Sequence, residues 1–374
     1  MKILQLGKFY PPDTGGMETA LYNITEELNQ RGIQCDVLCA NKEKKYRNDL
    51  LNGYKVIRTS SYGIVASTSI SPQMIRELKK IITNYDILHI HHPNPTANLA
   101  LFMANPKKQK VVIHWHSDII KQELELRFYK PLLIWMLKKA DVIIGTSQKY
   151  IDESLQLKDF KNKCVPIPIG IKKNDIGVDE NKFEEIKVRF KNKKIIFSLG
   201  RFIYYKGFEY LIESAKYLPD NYVILLGGDG ELKEKYEQII RENGLSEKVF
   251  LVGKIDQKDL GSYYEACDLF CLPSIAKSEA FGLVMVEAMS FGKPIVATKI
   301  KGSGTDWVNH NEITGLNVEP KNPEQLANAF KTILENQEIY SKFSKNAFQR
   351  YLNEFTIETE IEKLIKVYRT ILNN

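Results

Sequence analysis

The sequence predicts an α/β fold in which two doubly wound parallel sheets face each other across a cleft. Three observations lead there. The chain has 374 residues, more than one hydrophobic core usually serves, so two domains are the default. Short apolar strands alternate with helical stretches in two successive runs, the pattern of parallel sheets covered on both faces. Between the runs lies Val165-Pro166-Ile167-Pro168-Ile169-Gly170, whose prolines hold the chain extended and interrupt helices. The expected division is therefore 1–168, 169–355 and a closing segment 356–374, which is helical over about Ile357 to Leu372.

The first strand is Lys2–Leu6; Met1–Gly7 is too short and too polar for a secretory leader. After a loop, Thr14-Gly15-Gly16-Met17-Glu18 opens a helix over Thr19 to Gln30, with Leu21, Ile24 and Leu28 on one face. Two glycines at a helix start suit an anion, although the dinucleotide fingerprint G-x-G-x-x-G is absent. Further strands are expected at Cys35–Cys39, Lys55–Arg58, Asp86–His89, Val111–His114 and Asp141–Gly145. In such sheets ligands bind beyond the C-terminal strand ends, here Gly7, His89–His92, His116 and Thr146-Ser147.

Those ends are rich in histidine. His89, His91 and His92 are expected to follow one strand, and His114 and His116 flank Trp115 on the next. Zinc is one reading, but no Cys or carboxylate cluster accompanies the rings, and His-x-His on a strand says only that two rings share a face. A hydrogen-bonding or acid/base role suits His116 best; a structural role stays open for the others. Lys121 to Ala140 mixes lysines with Leu, Trp and Phe around Pro131. It fits either a helix lying in a bilayer interface or a core helix with a solvated edge.

In the second run, strands are expected at Ile195–Leu199, Tyr222–Leu226, Val249–Val252, Leu269–Leu272 and Pro294–Ala297. Arg201 and Lys206 follow the first of these, two cations placed to neutralise a diphosphate. Gly227-Gly228-Asp229-Gly230 follows the second, and Gly253 the third, where exposed backbone meets a ligand. Then comes Glu279-Ala280-Phe281-Gly282-Leu283-Val284-Met285-Val286-Glu287. Its glycine allows a close backbone approach, and the helix beginning there aims unpaired N–H groups outward. Glu279 lies in the loop and Glu287 inside the helix. The pair suits a sugar nucleotide, with amides for the diphosphate and carboxylates for hydroxyls.

Composition sets bounds. No apolar run reaches the roughly 18 residues of a membrane span. Five cysteines without Cys-x-x-Cys spacing argue for reduced thiols in a cytoplasmic protein. Residues 1–168 carry 24 Lys+Arg against 16 Asp+Glu, whereas the remainder carries 29 against 30. A basic first half suits the inner face of an anionic membrane, or is simply a solvated face. No nucleic-acid-binding motif is present, so nucleic acid is not an expected partner.

Arg201, Lys206-Gly207 and Glu279 with Glu287 together resemble the retaining nucleotide-sugar glycosyltransferases of family 4. The resemblance extends over Gly15-Gly16, the 166–170 hinge, Gly302-Ser303-Gly304 and Thr314-Gly315-Leu316. It implies the GT-B fold of two Rossmann-like domains, the first holding the acceptor and the second the donor, with the last helix returning to the first. By resemblance, Arg201 and Lys206 hold the donor diphosphate, Glu279 touches the transferred sugar and Glu287 the ribose. The amides of Phe281, Gly282, Leu283 and Val284 meet the phosphates, Gly15-Gly16 closes over them, and His116 faces the sugar. The segment Ser303–Asn309 departs from the pattern: Asp306 or Trp307 stands near the family's usual glutamate.

No Asp-x-Asp occurs in the chain, so no metal ion and no cofactor beyond the donor are expected. Trp115-His116-Ser117-Asp118 with Trp307-Val308-Asn309 looks like bacterial polysaccharide-assembly mannosyltransferases. That points to GDP-mannose as donor, with a UDP-hexose as the alternative, and to a lipid-linked or growing surface glycan as acceptor. Two other readings stay open: a phosphorylase or epimerase on the same sheets, and a non-catalytic protein that binds glycans or sugar nucleotides.

Overall fold

The computed structural model describes residues 1–13, 15–65, 68–119 and 123–373. Thr14 and the start of the Lys121–Ala140 stretch lie outside the described residues. The chain forms two compact units, Met1–Gly170 with Ile357–Asn374, and Ile171–Thr356.

The elements alternate as the apolar pattern dictates. In order they are β1 (Lys2–Leu6), α1 (Gly16–Gln30), β2 (Gln34–Ala40), β3 (Arg47–Leu51), β4 (Tyr54–Thr59), β5 (Ile64–Val65), β6 (Thr68–Ser69), α2 (Pro72–Ile81) and β7 (Ile87–His92). Next come α3 (Pro95–Ala104), β8 (Lys110–Trp115), α4 (Glu123–Lys139), β9 (Val142–Gly145), α5 (Gln148–Glu153) and β10 (Cys164–Pro166). The second unit holds α6 (Glu180–Arg189), β11 (Lys194–Leu199), α7 (Phe208–Ser214), β12 (Tyr222–Gly227), α8 (Lys233–Glu242), β13 (Val249–Gly253) and α9 (Gln257–Ala266). It continues through β14 (Leu269–Leu272), α10 (Leu283–Ser290), β15 (Ile295–Thr298), α11 (Thr305–Val308), β16 (Gly315–Val318), α12 (Pro323–Leu334) and α13 (Gln337–Arg350). The last helix, α14 (Ile357–Asn373), belongs to the first unit.

The first sheet runs β10-β9-β8-β7-β1-β2-β4-β3. Its order reverses at β1, so the switch point lies between the C-terminal ends of β1 and β7, where α/β sheets bind ligands. One face is covered by α1 and α14: Ile24 and Leu28 of α1 and Ile361, Leu364 and Tyr368 of α14 pack on Ile3, Ile87, Val112 and Ile144. The sheet is parallel except at β3, which pairs antiparallel with β4. This corrects the all-parallel expectation. Asn52 and Gly53, both at positive φ (48° and 94°), make the two-residue turn that a hairpin requires. Helix α4 runs through Pro131 as a single helix.

The second sheet runs β13-β12-β11-β14-β15-β16, parallel throughout. Its order reverses at β11, so the second switch point lies between the ends of β11 and β14. The fully buried Phe202, Phe208, Leu211, Tyr236 and Phe330 form part of a core that includes Ile196, Ile224 and Val296 of the sheet.

Candidate active site

The cations and carboxylates singled out in the sequence converge at the second switch point. Arg201 and Lys206 leave β11, and Glu279 follows β14, the neighbouring strand. Gly207, at φ 64°, permits the approach: a Cβ there would lie 2.4 Å from the Pro273 carbonyl oxygen. The two loops are joined where the Ile275 N–H donates to the Tyr205 carbonyl at 2.8 Å.

Lys206 Nζ donates to Glu279 Oε2 at 2.6 Å, and Ser274 Oγ donates to the same oxygen at 3.0 Å. Lys206 and Glu279 are 9% and 8% exposed, so neither charge is tolerable without its partner. Burial works against the Lys206 ammonium, but Glu279, aided by Tyr205, outweighs it and holds Lys206 above its ordinary pKa. Arg201 pushes the other way, which places its charge within electrostatic reach of Lys206. Arg201 itself is exposed, presented by the fully buried Phe202 next to it.

Helix α10 starts at Gly282, whose φ of 81° and contacts with Leu272 and Met285 leave no room for a side chain. Leu283 and Val284 form its first turn, whose N–H groups have no acceptor within the helix. Phe281 is buried and its ring packs on Trp307 and Phe355. Glu287 lies half-buried on α10 and accepts from the Tyr264 hydroxyl of α9 at 2.6 Å. Burial raises the Glu287 pKa, against Tyr264 and the charge of Lys206. No motif marks Tyr264, because α9 and α10 meet only in the fold.

The segment that lacks the family glutamate is tied to the same loop. Ser303 Oγ donates to the Glu279 carbonyl, and the Gly304 N–H to the Ala280 carbonyl at 2.8 Å. Trp307 is held in an aromatic cluster with Arg350 over its ring.

Gly228, expected to approach the ligand, also has a local packing role. At φ 132°, a Cβ would lie 1.9 Å from the Gly200 carbonyl oxygen, so this glycine lets the chain pack under the loop that carries Arg201. Gly253 ends β13, the edge strand two places from β11, with open space where a side chain would stand: nothing lies within 4 Å of a Cβ there.

In the first unit, Gly15 caps α1, which begins at Gly16 rather than Thr19. The Glu18 carboxylate sits over that start, 2.3 Å from where a Gly15 Cβ would stand. Histidines 89, 91 and 92 lie within β7, not beyond it, and all three are fully buried. The correction has a physical cause, since neutral imidazoles stack like other aromatics. His89, His91, His114 and His116 form one stack, with interplanar angles of 3–21° and centroids 4.4–5.5 Å apart. Donor atoms of His89, His91 and His114 lie within 4.8 Å of one another. His91 and His116 also meet edge to edge, with His91 Nδ1 2.9 Å from His116 Nε2. Burial lowers the pKa of each ring, that of His116 to about 4.

The fold is that of the GT-B glycosyltransferases. It matches sucrose-phosphate synthase from Thermosynechococcus elongatus with a TM-score of 0.82 at 20% identity, over 100% of this chain and 99% of that one. It matches Anabaena HepE, solved in complex with UDP, with a TM-score of 0.79 at 20% identity, over 99% and 100%. The model for "Glycosyltransferase Family 4" matches residues 14–174 and that for "Glycosyl transferases group 1" residues 179–350. The O-antigen chain mannosyltransferase C of Escherichia coli is 30% identical over the whole of both chains. The D-rhamnosyltransferase WbpZ of Pseudomonas aeruginosa is 28% identical over 95% of this chain and 92% of its own. This chain belongs to the family-4, group-1 glycosyltransferases and is a nucleotide-sugar-dependent transferase. Among the described residues, no helix is long and apolar enough to cross a membrane.

Proposed function

We propose that this chain is a retaining hexosyltransferase that moves a hexose from a nucleoside-diphosphate sugar to a lipid-linked or growing surface glycan. The observation that carries this reading is the gathering of Arg201, Lys206, Glu279, Glu287 and the start of α10 at one switch point.

The mechanism follows from charge. As the glycosidic bond breaks, negative charge collects on the departing diphosphate. Arg201 and Lys206 neutralise it, with the N–H groups of the first turn of α10, which is the electrostatic preorganisation that dominates many enzymes. These fixed cations take the part that a divalent ion takes elsewhere. The Lys206 ammonium has three donors: one is given to Glu279, and the others are available to phosphate oxygens. Glu279 also accepts a sugar hydroxyl, and Glu287, steered by Tyr264, accepts from the ribose. Lys206 and Ser274 already engage the Glu279 carboxylate, so the leaving phosphate takes the acceptor's proton on the same face, which gives retention. His116 stays neutral at pH 7, which favours hydrogen bonding over proton carriage.

GDP-mannose is the proposed donor, supported by the whole-length similarity to a mannosyltransferase. A UDP-hexose is the second reading, since the similar HepE is solved with UDP and with UDP-glucose. A panel of GDP- and UDP-sugars, with products read by mass spectrometry, separates them. Turnover of UDP-glucose with indifference to GDP-mannose removes the mannose reading. Release of sugar phosphate that requires inorganic phosphate removes the transferase reading.

The lipid-linked acceptor brings the enzyme to a membrane face. Leu99, Phe102 and Met103 stand exposed on one face of α3, at the i, i+3, i+4 spacing of an apolar stripe. Flotation with anionic vesicles measures the attachment; binding that is absent, or undiminished in Phe102→Ser with Met103→Ser, removes it.

A further inference from the structure

We infer that His91 and Gln5 are positioning residues that fix the tautomer of His116, so that His116 presents a bare Nδ1 as acceptor for a sugar hydroxyl. The inference deepens the reading of His116 given above and rests on it.

The three side chains form one chain of hydrogen bonds across three neighbouring strands. His116 follows β8, His91 lies in β7 and Gln5 in β1, at the C-terminal side of the first switch point. His116 Nε2 lies 2.9 Å from His91 Nδ1, and His91 Nε2 lies 2.9 Å from Gln5 Oε1. An amide oxygen only accepts, so His91 carries its proton on Nε2 and its Nδ1 is bare. A bare Nδ1 only accepts in turn, so His116 donates from Nε2. A neutral imidazole has one N–H, which leaves His116 Nδ1 as an acceptor. The chain holds because every ring in it is neutral: burial keeps His91 and His116 well below their ordinary pKa.

Burial also separates the roles. Gln5 and His91 are fully enclosed, whereas His116 is half-buried, so only His116 is open to a ligand. Gln5 has no proton-accepting step to offer, so the chain transmits orientation and carries no proton onward. The ligand it suits is a neutral polyol whose hydroxyl donates to nitrogen, and a phosphate monoanion or dianion would meet a bare lone pair.

The test is histidine tautomer NMR on 15N-labelled full-length protein without ligand, with His116 assigned by its loss in His116→Asn. The wild type is expected to show the proton on His116 Nε2 and a bare Nδ1. In His91→Phe, which keeps the stack, and in Gln5→Met, that bias is expected to vanish into a mixture of both tautomers. His91→Gln, which accepts at one end and donates at the other, is expected to restore it. In parallel, hydrolysis of GDP-mannose and UDP-glucose should fall about tenfold in His91→Phe, the cost of one misdirected hydrogen bond, and recover in His91→Gln. A proton on His116 Nδ1 in the wild type overturns the inference, whether or not the variants fold. So does an unchanged tautomer in both His91→Phe and Gln5→Met. Failure of the wild type to hydrolyse either donor counts against the donor reading alone, because the NMR result decides the tautomer without substrate.

Discussion

Lys206 and Glu279 form a 2.6 Å ion pair in which both side chains are about nine-tenths enclosed, 73 residues apart in the chain. Each is proposed to touch the donor, yet without a donor they satisfy each other. The pair therefore has a structural part and a chemical part, and the two can be separated.

Lys206→Ala leaves the Glu279 carboxylate buried without its cation, and should destabilise the second unit by about 3–5 kcal/mol. The double variant Lys206→Met with Glu279→Gln removes both charges and should recover most of that stability. Its turnover should nevertheless stay about a hundredfold or more below wild type, as for other removed charge stabilisers. Urea unfolding and steady-state turnover on the same samples check both halves. Recovery of turnover together with stability would make the pair purely structural.

In the proposed mechanism Tyr264 acts on the donor through Glu287, whose carboxylate accepts from the Tyr264 hydroxyl. Removing its hydroxyl in Tyr264→Phe frees the carboxylate to turn away from the ribose, and the KM for the donor should rise about tenfold with a smaller change in kcat. Glu287→Gln should shift KM in the same direction. Because the two residues share one hydrogen bond, the double variant should lose little beyond the worse single variant. Full additivity would separate their roles.

Glu360 of α14 gives the first unit a pH dependence. Its Oε2 accepts from the Gly170 N–H at 2.7 Å, and burial raises its pKa to about 8 despite that bond. Between about pH 4.5 and 8 the unfolded chain releases this proton while the folded one keeps it. The folded state then binds more protons, so stability falls as pH rises through that window. Glu360→Gln keeps an oxygen for Gly170 and never ionises. It should be more stable than wild type at pH 8, on the order of a few kcal/mol, and no more stable at pH 4. Thermal unfolding across pH 4–8 checks this, and parallel curves for the two proteins would contradict it.

Where chain neighbours determine local geometry, the sequence was informative. Gly282 before an apolar helical run located the start of α10, and apolar strands of four to six residues located most of both sheets. The edge strand β3 was missed because Asp49 and its neighbours are solvent-exposed and lack apolar alternation; the Asn52-Gly53 turn was the available signal. His91 and His92 were expected beyond a strand ending at His89, because polar residues at a strand end usually meet water. Here stacking and neutral tautomers let them stay inside β7. Contacts set by topology were not legible: Lys206 meets Glu279 only because β14 returns beside β11, and Gly228 serves Gly200 only once β12 lies beside β11.

The central claim is that fixed cations, Arg201 foremost, stabilise the departing diphosphate without a divalent ion. The measurement that tests it most directly is transfer from GDP-mannose and UDP-glucose by wild type and Arg201→Ala, each with and without EDTA. The account predicts wild-type turnover that is unchanged by EDTA and about a hundredfold lower in Arg201→Ala. Turnover abolished by EDTA and restored by magnesium, or left at wild-type level in Arg201→Ala, would contradict it.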